Sequence, residues 1–188
     1  STGKHFCAGM DLSAFSNGVD DIPDDSKPDH ARVGEVLYRT AKELQGYISK
    51  LEQIRVPVIA AVHGGVIGGA LDLITACDMR FASNDAFFCI QEINIGMAAD
   101  VGTLQRLPKI IPDSKMREMA YTGRRMLADE AKDSGLVGEV YETQDVMMNA
   151  INKLAKEIAS KSPVAIYGLK AVMNYSRDHN VNDSLDFN

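Results

Sequence analysis

The sequence lacks the features that mark several large classes of protein. Its three cysteines (Cys7, Cys77 and Cys89) are odd in number and have no C-x-x-C spacing, which excludes a disulfide framework and a cysteine zinc site. This usage predicts a reducing compartment. There is no run of about 18 apolar residues and no basic-then-apolar opening segment, so we expect a soluble protein with no membrane association.

Clustered positive charge is also absent. The 188 residues carry 20 Lys and Arg against 26 Asp and Glu, for a formal net charge of −6. Proteins that bind nucleic acid meet its phosphates with clustered Lys and Arg, whereas the basic residues here are scattered and mixed with acids. The charge pattern therefore predicts no nucleic-acid partner.

Familiar glycine and serine motifs are missing too. The segment G-G-V-I-G-G has Val66 where the second glycine of a dinucleotide-binding motif belongs, and no G-K-[ST] follows it. No G-x-S-x-G elbow is present, and the four histidines show no metal-ligand spacing. These absences disfavour nucleotide binding, serine hydrolysis of the α/β-hydrolase kind and a histidine metal site.

What stands out is the stretch 56–78, where an apolar run leads into a glycine-rich turn and then an apolar helix. Gly64, Gly65, Gly68 and Gly69 are predicted to leave backbone N–H groups bare at the helix N-terminus, where the macrodipole favours negative charge. The alternative is that these glycines only let a helix pack closely against a strand.

Hydrophobic periodicity predicts an α/β protein. A surface loop is expected at 13–29, and a helix at 68–77 should join the first two strands in a right-handed β-α-β unit of a parallel sheet. The predicted strands are 58–62, 79–83, 86–90 and 137–141, and the predicted helices are 30–54, 68–77, 101–107, 113–122, 128–134, 143–160 and 162–178.

Three carboxylates stand at positions suited to chemistry: Asp72 in the apolar helix, Glu92 after a strand, and Asp100 before a helix. Each also has an ordinary structural interpretation, as a first-turn acid, a solvated loop residue and an N-cap respectively. The largely apolar residues around Asp72 and Asp100 predict raised pKa values. Acids beside an anion-stabilising backbone suit enolate chemistry, in which one group removes a proton and another returns it elsewhere.

Four motifs together resemble the enoyl-CoA hydratase/isomerase, or crotonase, superfamily: F-C-A-G-M-D-L at 6–12, A-A-V-H-G-G-V-I-G-G-A-L-D-L at 60–73, A-C-D-M-R at 76–80 and Q-E-I-N-I-G at 91–96. The likeness covers nearly the whole chain. With Asp72, Glu92 and A-A-D-V-G-T-L-Q-R-L-P at 98–108, the sequence is similar to the Δ3,5-Δ2,4-dienoyl-CoA isomerase branch.

The resemblance implies a spiral of β-β-α turns with C-terminal helices, divided into a crotonase-like core at 1–142 and a helical part at 143–188. Relative to the family, the early strands are expected to be missing and the last helix to be cut short. It also implies an oxyanion hole formed by the N–H groups of Met10 and Gly69, with Ala8 and Gly68 contacting an acyl-CoA substrate.

The implied reaction belongs to fatty-acid β-oxidation: Glu92 takes a proton from C2 of a 3,5-dienoyl-CoA, Asp100 delivers one to C6, and Asp72 completes the acidic site. Hydratases of the superfamily carry glutamate at the position of Asp72 and glycine at that of Asp100, which favours isomerisation over water addition. The alternatives are an enoyl-CoA hydratase, a Δ3-Δ2-enoyl-CoA isomerase, or a non-catalytic member that binds acyl-CoA or RNA.

The same resemblance implies no cofactor, since CoA is part of the substrate, and a homotrimer or hexamer. It implies the mitochondrial matrix, peroxisome or glycosome in a eukaryote and the cytoplasm in a bacterium.

Overall fold

The computed structural model describes residues 1–11 and 29–187, so nearly all of the predicted loop at 13–29 lies outside the described residues. Within them the chain alternates between two three-stranded sheets. The strands are β1 (Ile59–Val62), β2 (Gly65–Ile67), β3 (Met79–Ser83), β4 (Phe87–Cys89), β5 (Met126–Leu127) and β6 (Glu139–Tyr141). One sheet has the order β1-β3-β6 and is parallel; the other has the order β2-β4-β5, with β4 and β5 antiparallel.

Helices connect and cover these sheets. The α-helices are α1 (His30–Gln53), α2 (Gly69–Thr75), α3 (Thr103–Arg106), α4 (Asp113–Thr122), α5 (Ala128–Asp133), α6 (Gln144–Ala159), α7 (Pro163–Asp178) and α8 (Val181–Asp186), and two 3-10 segments span Glu92–Ile95 and Leu107–Lys109. None of the helices in the described part of the chain is both long and apolar enough to cross a membrane. The repeated passage from one sheet to the other, β1 to β2 and β3 to β4, matches the predicted spiral of β-β-α turns.

Most predicted elements are confirmed, with ends shifted by one or two residues. The strands at 58–62 and 79–83 form β1 and β3, which pair in parallel from Ile59 opposite Met79 to Val62 opposite Ala82. The helix predicted at 101–107 was wrong in extent: α3 has only four residues and passes into a 3-10 segment containing Pro108. Proline lacks the N–H that would continue the α-helical ladder.

The glycine-rich segment is not simply a turn, and this prediction was wrong in part. Residues Gly65–Ile67 form β2, which pairs with β4, and Cys7 bridges to Val66 on its other side. A seven-residue helix such as α2 is marginal by itself in water, so its stability comes from burial. Leu71 and Ile74 are fully buried in a core that also contains Val66 and Phe88. Burial of these side chains fixes the start of α2 against the second sheet.

Candidate active site

One cavity of about 400 Å³ is lined by all seven residues that the family resemblance assigns to the site: Ala8, Met10, Gly68, Gly69, Asp72, Glu92 and Asp100. Its other lining residues, which were not singled out, are Gly9, Ile67, Gln91, Ile95, Met97, Val101 and Arg125. The fold thus brings four separate segments of the chain to one place. The roles assigned to these residues remain predictions, while their meeting in one cavity is observed.

The N-terminal segment reaches this cavity because it pairs with β2. The Cys7 N–H donates to the Gly65 carbonyl at 3.2 Å, and the Ile67 N–H donates to the Cys7 carbonyl at 3.1 Å. Gly9 follows with φ of 93°, a left-handed value that glycine adopts at little cost. The chain can therefore turn there and place Met10 on the cavity wall.

The four glycines of the turn have different structural roles. The expectation that all four would have N–H groups without a hydrogen-bond partner was wrong. The Gly65 N–H donates to His5 Nδ1 at 2.9 Å, and the Gly68 N–H donates to the Cys89 carbonyl at 3.0 Å. A Cβ on Gly64 would lie 2.3 Å from the Lys4 carbonyl oxygen, so this glycine serves close packing. Gly69 is the first residue of α2, where an N–H has no acceptor within the helix.

Gly68 also makes room for Glu92. Its φ is 57°, and a Cβ built on it would lie 3.2 Å from Glu92 Oε1. The carboxylate therefore packs directly on bare main chain at the start of α2. A larger residue at position 68 would have to displace the acid.

Glu92 begins the 3-10 segment after β4 and is partly buried, so its interpretation as a solvated loop residue was wrong. Its Oε2 atom is buried and has no hydrogen-bond partner among the described residues. Burial raises the pKa of Glu92, main-chain hydrogen bonds at Gln91 and Glu92 lower it in part, and the charges of Asp72 and Asp100 raise it. An unpaired carboxylate with a raised pKa has the properties of a general base.

Asp72 is only 1% exposed and links two helices. It stands in the first turn of α2, and its Oδ1 accepts the Thr103 N–H at the start of α3 at 2.6 Å. Burial raises the pKa of Asp72, as the sequence predicted, while hydrogen bonds from Thr103 oppose the rise and the charge of Asp100 adds to it. Asp72 therefore contributes both charge and a structural hydrogen bond.

Asp100 differs from the other two acids because it is exposed, and the prediction that its apolar neighbours would bury it was wrong. The N-cap of α3 is Gly102, with φ of 140°, so the interpretation of Asp100 as an N-cap was also wrong. Its charge raises the pKa of both Asp72 and Glu92. The charges of the three carboxyls therefore interact.

Arg125 is a site residue that the sequence did not reveal. Its guanidinium lies 4.3 Å from the Phe87 ring centroid and lines the cavity, whereas the adjacent Arg124 is paired with Glu118 and Glu130. The R-R dipeptide gave no indication of which arginine would face the site. Arg125 places a positive charge at the edge of an otherwise acidic cavity.

His63 has a structural position, in keeping with its interpretation as a strand-end residue. It is buried, and its Nε2 lies 2.8 Å from the Gly3 carbonyl oxygen. Across residues 1–11 and 29–187 no three His, Cys, Asp or Glu side chains are grouped so that they could hold a metal ion.

Comparison with known proteins places this geometry in context. A model of the enoyl-CoA hydratase/isomerase family matches residues 1–188. The chain is 49% identical over 186 residues to mitochondrial Delta(3,5)-Delta(2,4)-dienoyl-CoA isomerase of Rattus norvegicus, covering 98% of the chain and 56% of that protein. It is 46% identical to the peroxisomal enzyme of that name from Arabidopsis thaliana, covering 98% of the chain and 66% of that protein.

A solved structure agrees with these matches. The enoyl-CoA hydratase of Bacillus anthracis superimposes with a TM-score of 0.84 at 30% identity, over 98% of this chain and 66% of that structure. The likeness confirms the predicted fold class. The chain spans little more than half the length of the mitochondrial relative it matches.

Proposed function

The chain belongs to the enoyl-CoA hydratase/isomerase family, and we propose that it catalyses the conversion of 3,5-dienoyl-CoA to 2,4-dienoyl-CoA, a double-bond shift in fatty-acid β-oxidation. The observation that carries the proposal is the meeting of Asp72, Glu92 and Asp100 in one cavity with Met10 and Gly69. The two relatives that bear the name of this isomerase and are described above are 49% and 46% identical to the chain, which supports the same assignment.

The proposed reaction begins with proton removal. Glu92 takes the proton from C2, and the electron pair of that C–H bond moves into the thioester to form an enolate. The N–H groups of Met10 and Gly69 donate to the enolate oxygen, and the start of α2 favours its negative charge. The partly buried carboxylate of Glu92, with its unpaired Oε2, is suited to this step.

Proton return completes the shift. Asp100 delivers a proton to C6, so the C3–C4 and C5–C6 double bonds become C2–C3 and C4–C5, and one proton lost at C2 is balanced by one gained at C6. No electrons leave the substrate, so the reaction needs no cofactor beyond the CoA that the substrate carries. Asp72 contributes negative charge beside both acids, since it raises the pKa of Glu92 and is itself affected by Asp100.

The carboxyl of Asp100 favours isomerisation over hydration. Asp100 is a third acid in the cavity, beside Glu92 and Asp72, and gives a proton donor for a distant carbon, which addition of water to a 2-enoyl-CoA does not require. We further propose an acyl-CoA thioester as the ligand and a homotrimer or hexamer as the assembly. The mitochondrial and peroxisomal names of the relatives support one of those organelles, or a glycosome, in a eukaryote; in a bacterium the protein would be cytoplasmic.

A spectrophotometric assay tests the function. The protein is incubated with a 3,5-dienoyl-CoA, and the absorbance of the conjugated 2,4-dienoyl product is followed beside hydration of a 2-enoyl-CoA. We expect the first reaction to dominate. Hydration without isomerisation would show a hydratase, and binding of acyl-CoA or RNA without either reaction would show a non-catalytic member.

A further inference from the structure

The segment that carries Asp100 is hydrogen-bonded at both ends, and between them Ala99 is buried in the core. The Met97 N–H donates to the Glu92 carbonyl at 2.9 Å, and the Thr103 N–H donates to Asp72 Oδ1 at 2.6 Å. Within residues 1–11 and 29–187, the main chain of 98–101 makes one hydrogen bond: the Asp100 carbonyl accepts from Gln45 Nε2 at 2.7 Å. Burial of Ala99 holds the preceding residue, and the hydrogen bond from Gln45 fixes the orientation of the Asp100 carbonyl.

Gln45 belongs to a face of α1 that contacts this part of the chain. Gln45, Ser49 and Glu52 are four and three residues apart, which places them on one side of a helix. Arg106 of α3 donates to Ser49 Oγ at 2.9 Å and to Glu52 Oε2 at 2.8 Å. α1 has no buried residue, and these polar contacts attach it here beside Leu51, which packs against the core.

We infer that Gln45 is a positioning residue for proton delivery: its hydrogen bond to the Asp100 carbonyl holds the Asp100 carboxyl in reach of C6. The inference rests on the proposed isomerisation. Glu92 is held separately, by its own 3-10 segment and by contact with Gly68. Loss of the Gln45 amide should therefore impair the second proton transfer and spare the first.

The test compares two substitutions in the protein. Gln45→Met keeps the length of the side chain and removes its N–H donor. Gln105→Met is the matched control, since Gln105 and Gln45 both line a second, polar cavity of about 480 Å³ beside Asp100, and neither lines the candidate active site. We expect Gln45→Met to lower kcat for isomerisation roughly 10- to 100-fold with KM little changed, because a misplacement of about 1 Å can cost about 100-fold. Gln105→Met should match wild type.

The readout that isolates positioning is exchange of the C2 proton with deuterated water, which reports the step assigned to Glu92. We expect exchange in Gln45→Met to stay within about twofold of wild type, a split that general damage to the site would not produce.

Two results would overturn the assignment of Gln45: unchanged isomerisation in Gln45→Met, or an equal fall in isomerisation and exchange. Wild-type protein that fails to isomerise a 3,5-dienoyl-CoA would instead overturn the proposed function itself. The two failures are therefore distinguishable in one set of measurements.

Discussion

The wall of the cavity at Gly68 and Gly69 is made of main chain, whereas the wall at Asp100 is held by side chains. Gly68 is fixed by a hydrogen bond to Cys89 in β4, and the helix that follows is buried through Leu71 and Ile74. Asp100 is exposed, in a segment tethered by Gln45. We therefore propose that the side assigned to enolate stabilisation is the more rigid one and that the side assigned to proton return is the more adjustable one. Substitutions on the two sides should therefore impair different steps of the proposed reaction.

The largest effect is expected at Glu92, the acid that packs on the rigid wall. Glu92→Gln should lower isomerisation about 100- to 10,000-fold, the usual contribution of a general base, and should stop exchange of the C2 proton with deuterated water. Glu142→Gln is the control, because Glu142 is exposed and lies outside the cavity. Undiminished exchange in Glu92→Gln would assign the base to another residue.

A smaller effect should follow from crowding the same wall. Gly96 lies in the left-handed helical region, at φ 75° and ψ 21°, so alanine there should cost about 1–2 kcal/mol in unfolding free energy. Gly68, at φ 57° and ψ −124°, lies outside that region, and alanine there should cost more, up to about 3 kcal/mol. Only at Gly68 would the new Cβ approach Glu92 Oε1, at 3.2 Å, while a Cβ at Gly96 meets nothing within 4 Å. Denaturant unfolding and kcat are measured for both variants.

Gly68→Ala should lose roughly tenfold more activity than Gly96→Ala when both are assayed under conditions where denaturant unfolding shows each to be folded, because a displaced base is a costly misplacement. Equal activity in the two variants would mean that Glu92 tolerates displacement. The rigid wall would then not be required for proton removal.

The smallest effect concerns pH and stability. Burial raises the pKa of Glu92 above its ordinary value near 4.5, so the folded chain binds this proton more tightly than the unfolded chain. The stability from that proton is fully present below pH 4.5 and is lost as the pH rises through the folded pKa. Asp72 acts in the same direction, since burial raises its pKa too.

Glu92→Gln removes the partly buried charge, so at pH 7 it should raise Tm by about 2–4 °C, the shift that about 1 kcal/mol gives in a chain of this size. The gain should shrink as the pH is lowered toward 4.5, where the wild-type carboxyl gains its proton. Thermal unfolding at both pH values checks this, and a Tm difference independent of pH would contradict it. Activity lost together with stability gained would identify Glu92 as functional.

The sequence predicted the helices and strands whose bounds are determined by residues close together in the chain. The helix at 30–54 and the strand at 79–83 agree with α1 and β3, because apolar periodicity and the proline at 57 mark them directly. β2 was missed because it has only three residues in a glycine-rich segment and pairs with β4, about 20 residues further on. Pairing between distant segments produces no hydrophobic periodicity in the sequence.

For the candidate site, too, some features were predictable from the sequence and others were not. Motif resemblance identified seven residues that do line one cavity, and the family assignment is confirmed. The exposure of Asp100 was not predictable, because an apolar neighbourhood in sequence does not determine burial in the fold. Gln45 was missed because its partner is 55 residues away and the contact is to main chain, which no side-chain motif records.

The measurement that tests the account most directly separates the two proton transfers in Asp100→Asn. The variant is mixed with a 3,5-dienoyl-CoA in deuterated water, and exchange at C2 is followed beside formation of the 2,4-dienoyl product. We predict a fall in isomerisation of about 100- to 10,000-fold with C2 exchange and CoA-ester binding largely retained. Full isomerisation in Asp100→Asn, or loss of C2 exchange together with isomerisation, would contradict the division of labour between Glu92 and Asp100.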